Sequence, residues 1–551
     1  MKPCRSFAAT AALLTAAAAA AAEPLPPPSL PPAVGPVAAD GPIPPSAPGA
    51  PALVPATAAR LPANLAVDDR PEPLTLVEVL ESVRRHYPLL QAIERERGVA
   101  AGRMTTAMGA FDTNVNMAGN ALAPGTYENY RSDFGLSQLL QSGGVQVFGG
   151  YRTGFGTFPT YNLSQKTADV GEFRGGLTMP LARDRDIDSA RAGRDKARLD
   201  QAIAEPTIFR SRLDYMRTAA LAYWTWMGSG EREGATKRLT ALAVRRDGEI
   251  AAKVDRGVMA NIERVDNQKN IALRRGLQVQ ADREVQLATI DLSLFLRDSG
   301  GRPLLPSRRR MQTLPEPVEP AVSIYEASLA QAITARPEFR RLSLEREKLF
   351  VERRLAANDT LPNIDGQVYG NQDAGFGKSG LSGIDGLDRQ VLQAALVFQM
   401  PAQRRNARGR LQSVDSQLVQ LDRRIEFTFD SVRAEVQDAY SKLERAYEFH
   451  KQAVQQEELA ALVAEAEREQ FRLGRSDILR VTLREQAKFD ADLLEIAARQ
   501  EYWRADANLR ASDTSLDSFG TESEQAQLLA PVPEVVPLPE VLPGPGNGPL
   551  R

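Results

Sequence analysis

One long proline-free stretch limits what the chain can fold into. From about Arg404 to Arg472 there is no proline and only one glycine, Gly409. Apolar residues recur along this stretch at alternating spacings of four and three: Val432, Val436, Ala439, Leu443, Ala446, then Leu459, Leu462 and Ala466. The rhythm predicts a helix with a coiled-coil-like apolar stripe, and roughly 70 residues at 1.5 Å each give about 100 Å. A helix of that length does not fold back into one ordinary globule, and a dimeric coiled coil is the simplest alternative.

The sequence also contains an internal duplication. Leu74–Met108 and Ile324–Ala357 are both helical in period, and each carries a proline after its first few turns. Gly257 matches Gly474 at an offset of 217 residues. The first half has its own long helical stretch, which we expect Pro206 to break once. Each half is therefore predicted to contain, in this order, a helix, strands, a very long helix, a turn at glycine and a long helix.

Alternating apolar and polar side chains predict strands before each long helix. Four segments show this period of two: Asp112–Leu122, Gly171–Met179, Asn363–Asn371 and Gln390–Met400. Such alternation suits a barrel wall between lipid and water, and it also suits a half-buried soluble sheet. Four strands that adjoin such long helices favour the barrel. A further pair, Tyr130–Leu140 and Val145–Phe155, also alternates, and its place inside or outside the barrel stays open.

The N-terminal sequence predicts export. Lys2 and Arg5 precede an uncharged, Ala-rich run that ends in an A-x-A pattern, so we expect a signal peptide over residues 1–22. No later stretch reaches about 18 apolar residues, which makes a β-barrel the expected route into a membrane. The remaining divisions are a Pro-rich flexible leader, a first repeat, a linker, a second repeat and a Pro-rich disordered tail: 23–72, 73–298, 299–323, 324–513 and 514–551.

The composition argues against an enzyme. Two histidines, His86 and His450, and one cysteine, Cys4, leave too few ligands for a Cys/His metal site. The 68 basic and 70 acidic residues give a net charge of -2, which offers no general reason to bind nucleic acid. The loop at 375–379 resembles a phosphate loop, but Gln372 stands where its leading glycine is required. We predict no catalytic residue, no cofactor and no metal.

Four strands are too few to close a tube, because about eight is the practical minimum. The strand count therefore predicts an oligomer, most simply a ring of identical chains.

Over residues 73–513 the chain resembles the TolC-type outer-membrane efflux proteins. The matching segments are Leu74-Thr75-Leu76 with Glu78-Val79-Leu80 and Pro88, Gly143-Gly144, Met179-Pro180-Leu181, and Phe471-Arg472-Leu473-Gly474 followed by Ser476-Asp477-Ile478-Leu479. The resemblance implies an α+β membrane protein that forms a homotrimer. A 12-stranded β-barrel in the outer membrane would continue into a long α-helical, coiled-coil barrel that crosses the periplasm.

The resemblance also implies a function and partners. The protein would be the outer-membrane exit duct of a tripartite efflux or type I secretion system, and it would conduct substrate passively. Its partners would be a periplasmic adaptor (membrane fusion) protein and an inner-membrane pump. A periplasmic coiled-coil adaptor or scaffold without a pore remains the alternative.

Three sets of residues follow from the resemblance. The adaptor-docking tips, in the turns between the long helices, are Gly257, Val258, Gly474 and Arg475. The periplasmic aperture is predicted at Glu263, Asp266, Asp477 and Arg480, where contacts between chains would hold a closed state. Exposed helix charges worth less than about 1 kcal/mol each are the alternative for that set. The barrel lumen is predicted to be lined by Asn114, Asn116, Asp365 and Gln367.

Overall fold

The computed structural model describes residues 66–122, 128–157, 167–168, 170–375 and 390–518, all of which lie in one compact unit. The predicted signal peptide lies outside these residues, as do most of the predicted leader and tail. In the described part of the chain, no helix combines the length and the apolar character needed to cross a membrane.

Helices and strands follow one another in a similar order in the two parts of the chain. The first part contains β1 (Ala66–Asp68), α1 (Leu76–His86), α2 (Pro88–Glu94), α3 (Glu96–Met108), β2 (Asn114–Leu122), β3 (Asn129–Leu139), β4 (Gln146–Gly156), β5 (Gly171–Pro180), α4 (Ser189–Asp255) and α5 (Asn261–Ser293). The second contains β6 (Leu304–Pro306), α6 (Val322–Ala335), α7 (Pro337–Asn358), β7 (Asn363–Ala374), β8 (Val391–Gln399), α8 (Arg405–Arg472) and α9 (Ile478–Ser512). In both parts, a very long helix and a shorter one follow the strands.

Helix α8 has the length and most of the apolar stripe that the sequence predicts. It has 68 residues, and the predicted stripe from Val432 to Ala446 is buried. The second part of the predicted stripe is exposed in the single chain: Leu459, Leu462 and Ala466. The rhythm of four and three, continued from Ala446, instead reaches the buried residues His450, Ala453 and Ala464. The exposed residues are out of phase with it.

Pro206 does not break the long helix of the first part, so that prediction is wrong. Helix α4 runs for 67 residues through Pro206, and this proline is buried. Packing of α4 against α3, α7 and α9 offsets the lost backbone hydrogen bond. Further along α4, a Cβ on Gly228 would lie 2.1 Å from the Gln500 side chain, and one on Gly230 would lie 1.7 Å from Met311 Sδ. These glycines therefore allow close packing.

Six strands form one antiparallel sheet in the order β2-β3-β4-β5-β7-β8. The four predicted strands are β2, β5, β7 and β8. The additional pair, whose place the sequence left open, forms β3 and β4 inside the sheet, between β2 and β5. The 12-stranded barrel that the resemblance implies needs four strands from each of three chains, and the sheet of the described residues contains six.

The predicted leader and linker both contribute to the packed core. Strand β1, inside the predicted leader, pairs in parallel with β6, inside the predicted linker. The buried Arg310 donates hydrogen bonds to Asp68 and Glu78 and so fixes the linker to α1. Leu516, in the predicted tail, is fully buried with Trp226 in the main apolar cluster. The packed core therefore includes residues before 73 and after 513.

Candidate functional site: the two sheet faces and the helix tips

The register of the six-stranded sheet sorts its side chains into two faces. Met117 pairs with Phe134, Phe134 with Tyr151, and Tyr151 with Phe173, so these four lie in one row on one face. Because side chains alternate along each strand, this apolar face also carries Val115, Leu136, Val147, Leu177, Val368, Leu392, Leu396 and Phe398. The opposite, polar face carries every charged residue of the six strands: Arg131, Asp133, Arg152, Glu172, Arg174, Asp365 and Asp373.

The apolar face is the more exposed of the two. Met117, Phe173 and Leu396 are 85%, 58% and 69% exposed. The side chains of Asp133 and Glu172, on the polar face, are only 17% and 2% exposed. A soluble sheet has the opposite arrangement, with its apolar face buried against a core. This distribution suits a wall with lipid on one side and a polar interior on the other.

The four predicted lumen residues all lie on the polar face. Asn114 and Asn116 pair with Ser137 and Gly135, and Gln367 pairs with Thr178. The Asp365 side chain accepts a hydrogen bond of 2.9 Å from Asn363. The structure therefore brings these residues to one face, and their contact with a lumen stays a prediction.

Sequence reasoning missed the ion pairs of the polar face. Asp133 lies 2.7 Å from Arg131 Nε and 3.0 Å from Arg174 Nη2, and Glu172 accepts hydrogen bonds from Arg152 and Asn371. The alternation of these charges with apolar residues is visible in the sequence. Their pairing requires the register between strands, which the alternation does not contain.

Both long helices end in the same kind of turn. Gly257 and Gly474 have a backbone φ of +73°. The amide of Val258 donates to the carbonyl of Lys253 over 2.9 Å, and the amide of Arg475 donates to the carbonyl of Gln470 over 2.8 Å. These bonds close a glycine turn of the Schellman type, in which a left-handed residue is required. Val258 is 76% exposed at this tip and Arg475 is exposed too, so both are accessible to a partner. The docking role stays a prediction.

The two tips pack against each other through a small apolar cluster. Ile250, Phe471, Ile478 and Val481 are buried together, and Val254 and Met259 pack against them. Lys253 Nζ lies 4.4 Å from the centre of the Phe471 ring, within cation–π range. The α4–α5 turn and the α8–α9 turn therefore form one structural end of the molecule.

The predicted aperture residues form two separate groups at this end. Asp477 caps α9, since its Oδ1 accepts from the Arg480 amide over 2.8 Å, and the two exposed side chains lie 3.6 Å apart. Asp266 pairs with Lys269 at 2.7 Å, and Glu263 lies in the first turn of α5. Within the described ranges, no ion pair joins the acids of α5 to Asp477 or Arg480. The contacts between chains remain a prediction.

A buried ion cluster near the tips was not predicted from the sequence. Glu485 of α9 lies 3.0 Å from Arg246 of α4 and 3.2 Å from Arg274 of α5, and all three side chains are at most 6% exposed. Arg246 also donates to Asn267 over 3.1 Å. Burial lowers the pKa of Arg274, and the charge of Glu485 opposes that shift. In the sequence these three residues look like any other charges on long helices, so no signal marks them.

The fold is similar to that of solved outer-membrane channels. No model of a known protein family matches the chain, and no curated protein matches its sequence. The outer-membrane channel OprN covers 82% of this chain and 97% of its own, with 14% identity and a TM-score of 0.56. The outer-membrane protein VceC of Vibrio cholerae covers 80% of this chain and 95% of its own, with 13% identity and a TM-score of 0.55. The open-state outer-membrane channel MtrE of Neisseria gonorrhoeae covers 80% of this chain and 88% of its own, with 13% identity and a TM-score of 0.57.

These similarities extend over nearly the full length of the solved channels. At 11–14% identity they establish the fold. The chain has the fold of the TolC-type outer-membrane channels. The predicted resemblance is therefore confirmed at the level of the fold.

Proposed function

We propose that the protein is an outer-membrane exit duct of a tripartite efflux or type I secretion system. The observation that carries this proposal is the exposed apolar face of the six-stranded sheet, opposite a face that holds all of its charges. A wall of this kind is stable where one side meets lipid and the other encloses water. The fold shared with solved outer-membrane channels supports the same location.

The duct is a homotrimer in this proposal. A single sheet of six strands does not close, and its edge strands β2 and β8 are exposed along their whole length or nearly so. Three copies arranged in a ring satisfy both edges of every sheet. The long helices α4 and α8 then extend the wall by about 100 Å into the periplasm.

Transport through the duct is passive. The polar face supplies amides and paired charges rather than a reactive centre, so substrate leaves through an aqueous passage without a chemical step. An inner-membrane pump supplies the energy. A periplasmic adaptor protein connects the pump to the duct at the tips around Gly257, Val258, Gly474 and Arg475. A periplasmic scaffold without a pore would bury the apolar face of the sheet, so the exposure of that face counts against this alternative.

A matched pair of substitutions on one strand tests the proposal. Leu396 and Ala395 are neighbours near the middle of β8, on the apolar and the polar face respectively. Leu396→Arg places a charge in lipid at a cost of about 2–4 kcal/mol per chain, and Ala395→Arg places the same charge in water. We expect Leu396→Arg to remove most of the trimer from the outer-membrane fraction and Ala395→Arg to leave it there.

Fractionation of cell envelopes on a density gradient, with detection of the full chain, gives the readout. Equal amounts of both variants in the outer membrane would contradict the assignment of the apolar face to lipid. Recovery of the unsubstituted protein in the soluble periplasmic fraction would contradict the proposed location itself.

A further inference from the structure

Strands β3 and β4 are an integral part of the sheet. Strand β3 pairs with β2 from Asn129 to Ser137 and with β4 along its whole length. Strand β4 pairs with β5 from Gln146 to Arg152. The hairpin continues the two faces without a change of chemistry, because Phe134 and Tyr151 join the apolar face while Asp133 and Arg152 join the polar face.

Side chains on the polar face also connect this hairpin to the strands beside it. Asp133 of β3 lies 3.0 Å from Arg174 of β5, two strands away. Arg152 of β4 donates to Glu172 of β5, which also accepts from Asn371 of β7. These contacts would be lost if the hairpin left the sheet.

The turn of the hairpin is fixed at the helical end of the sheet. Gly143 and Gly144 both have positive φ, which the tight turn requires. A Cβ on Gly144 would lie 2.4 Å from the carbonyl oxygen of Asp184 and 3.0 Å from Pro180 Cγ, so the turn packs directly on the connection from β5 to α4. Gln138, beside the turn, donates to the carbonyl of Phe111 over 3.2 Å.

The two edges of the sheet are complementary. Strands β2 and β8 each have nine residues. The sheet has six strands and is antiparallel throughout, so its outermost strands run in opposite directions. Strand β8 of one copy would therefore lie antiparallel to β2 of the next. In a closed ring of copies, every pair of neighbouring strands is then antiparallel.

We infer that the assembled barrel has 18 strands, six from each of three chains, and that the β3–β4 hairpin forms one third of its wall. The inference rests on the proposed trimeric duct and goes beyond it, since a 12-stranded barrel needs only β2, β5, β7 and β8. The hairpin adds Arg131, Asp133 and Arg152 to the lining of the passage.

The two barrels differ measurably in size. Strands about 4.8 Å apart and tilted by about 40° give a radius of about 12 Å for 12 strands and about 18 Å for 18. Equivalent backbone positions in three symmetric copies are then about 21 Å and about 31 Å apart. Because diameter grows roughly in proportion to strand number, the passage at this level is about 1.5-fold wider.

Pulsed electron paramagnetic resonance on the full chain in lipid nanodiscs tests the inference. Cys4 is the only cysteine, so Cys4→Ser with Val368→Cys places one nitroxide per chain on the apolar face of β7. We expect the separation between copies to be about 10 Å longer than a 12-stranded ring allows. A control label at Leu462→Cys, exposed on α8, reports assembly independently of the barrel.

The outcomes separate the inference from the proposed function. Three coupled labels at the longer spacing support an 18-stranded barrel. Three coupled labels at the shorter spacing keep the trimer and overturn the inference, with the hairpin outside the wall. Absence of coupling at both Val368→Cys and Leu462→Cys contradicts the trimer and therefore the proposed function. A strand count by electron cryomicroscopy of the unlabelled protein provides the second measurement.

Discussion

Glu485 lies between two buried arginines where three helices meet near the tips. Its carboxylate is the counterion of both Arg246 and Arg274. Removing the charge from a buried pair leaves the partner uncompensated, which costs about 3–5 kcal/mol. We expect Glu485→Gln to loosen the contact of α9 with α4 and α5 and to raise amide hydrogen exchange at the tips by about 100-fold or more.

Glu469 provides the matched control for this substitution. It pairs with Arg472 three residues away on α8, and both side chains are largely exposed, at 48% and 74%. Because exposed pairs contribute little, Glu469→Gln should leave exchange at the tips almost unchanged. Similar exchange in the two variants would show that the buried cluster does not hold the helices together.

Asp506 predicts a dependence of stability on pH. Burial raises the pKa of this carboxyl, although Arg510 at 2.7 Å opposes the shift. A carboxyl with a raised pKa in the folded state loses stability as the pH rises from its unfolded pKa through its folded pKa. Asp506→Asn removes that cost, so its melting temperature should exceed that of the unsubstituted protein at pH 8. The difference in melting temperature should shrink towards pH 4. A difference that grows on acidification would contradict a raised pKa of Asp506.

At the scale of residues, the sequence predicts on which face of a strand a side chain lies but not which residues it contacts. Asn114 and Gln367 fall on the polar face because alternation along a strand decides the side. The cluster around Glu485 was missed because its members are far apart in the sequence. Arg246 and Arg274 are 28 residues apart, and Glu485 is 211 residues from Arg274. Only the packing of α4, α5 and α9 brings them together. Periodicity carries no information about such distant pairs.

At the scale of elements, the two tip turns depend on glycine for its backbone conformation and not for space. Among the described residues, no atom beyond the adjoining ones would lie within 4 Å of a Cβ on Gly474, so the φ of +73° is what opposes a side chain there. Gly474→Ala should therefore destabilise the α8–α9 turn by about 1 kcal/mol. Hydrogen exchange near Phe471 measures the effect.

Gly409, inside α8, should respond in the opposite direction. A Cβ there would also meet no atom of another described element within 4 Å, but the residue is helical. Gly409→Ala should stabilise α8 by up to about 1 kcal/mol. Destabilisation by both substitutions would mean that steric contacts in the assembly, and not backbone conformation, decide the outcome at these positions.

The long helices were predictable because their apolar rhythm is sustained, yet two features of them were not. Pro206 signals a break when it is considered alone, and packing on three neighbouring helices overrides that signal in α4. Leu459 and Leu462 match the spacing of a stripe but not its phase. Strands β3 and β4 show the same limit, because alternation indicates a strand and leaves its neighbours undetermined.

At the scale of the whole molecule, the six-stranded sheet that the structure describes does not close on itself within one chain. The sheet exposes large apolar side chains on one face and two strand edges, and both are liabilities for a soluble monomer. The strand alternation predicted the first of these features, and the number of strands depended on placing β3 and β4. The proposed assembly in a membrane would account for both.

Planar-bilayer conductance of the detergent-purified protein, with its mass determined by light scattering, tests whether the protein forms a trimeric duct. We expect discrete conductance steps from a preparation with the mass of a trimer, because three sheets would enclose one aqueous passage. A water-soluble monomer or dimer without channel activity would contradict it. The exposed apolar face would then belong to a protein contact, and a periplasmic scaffold would be the better description.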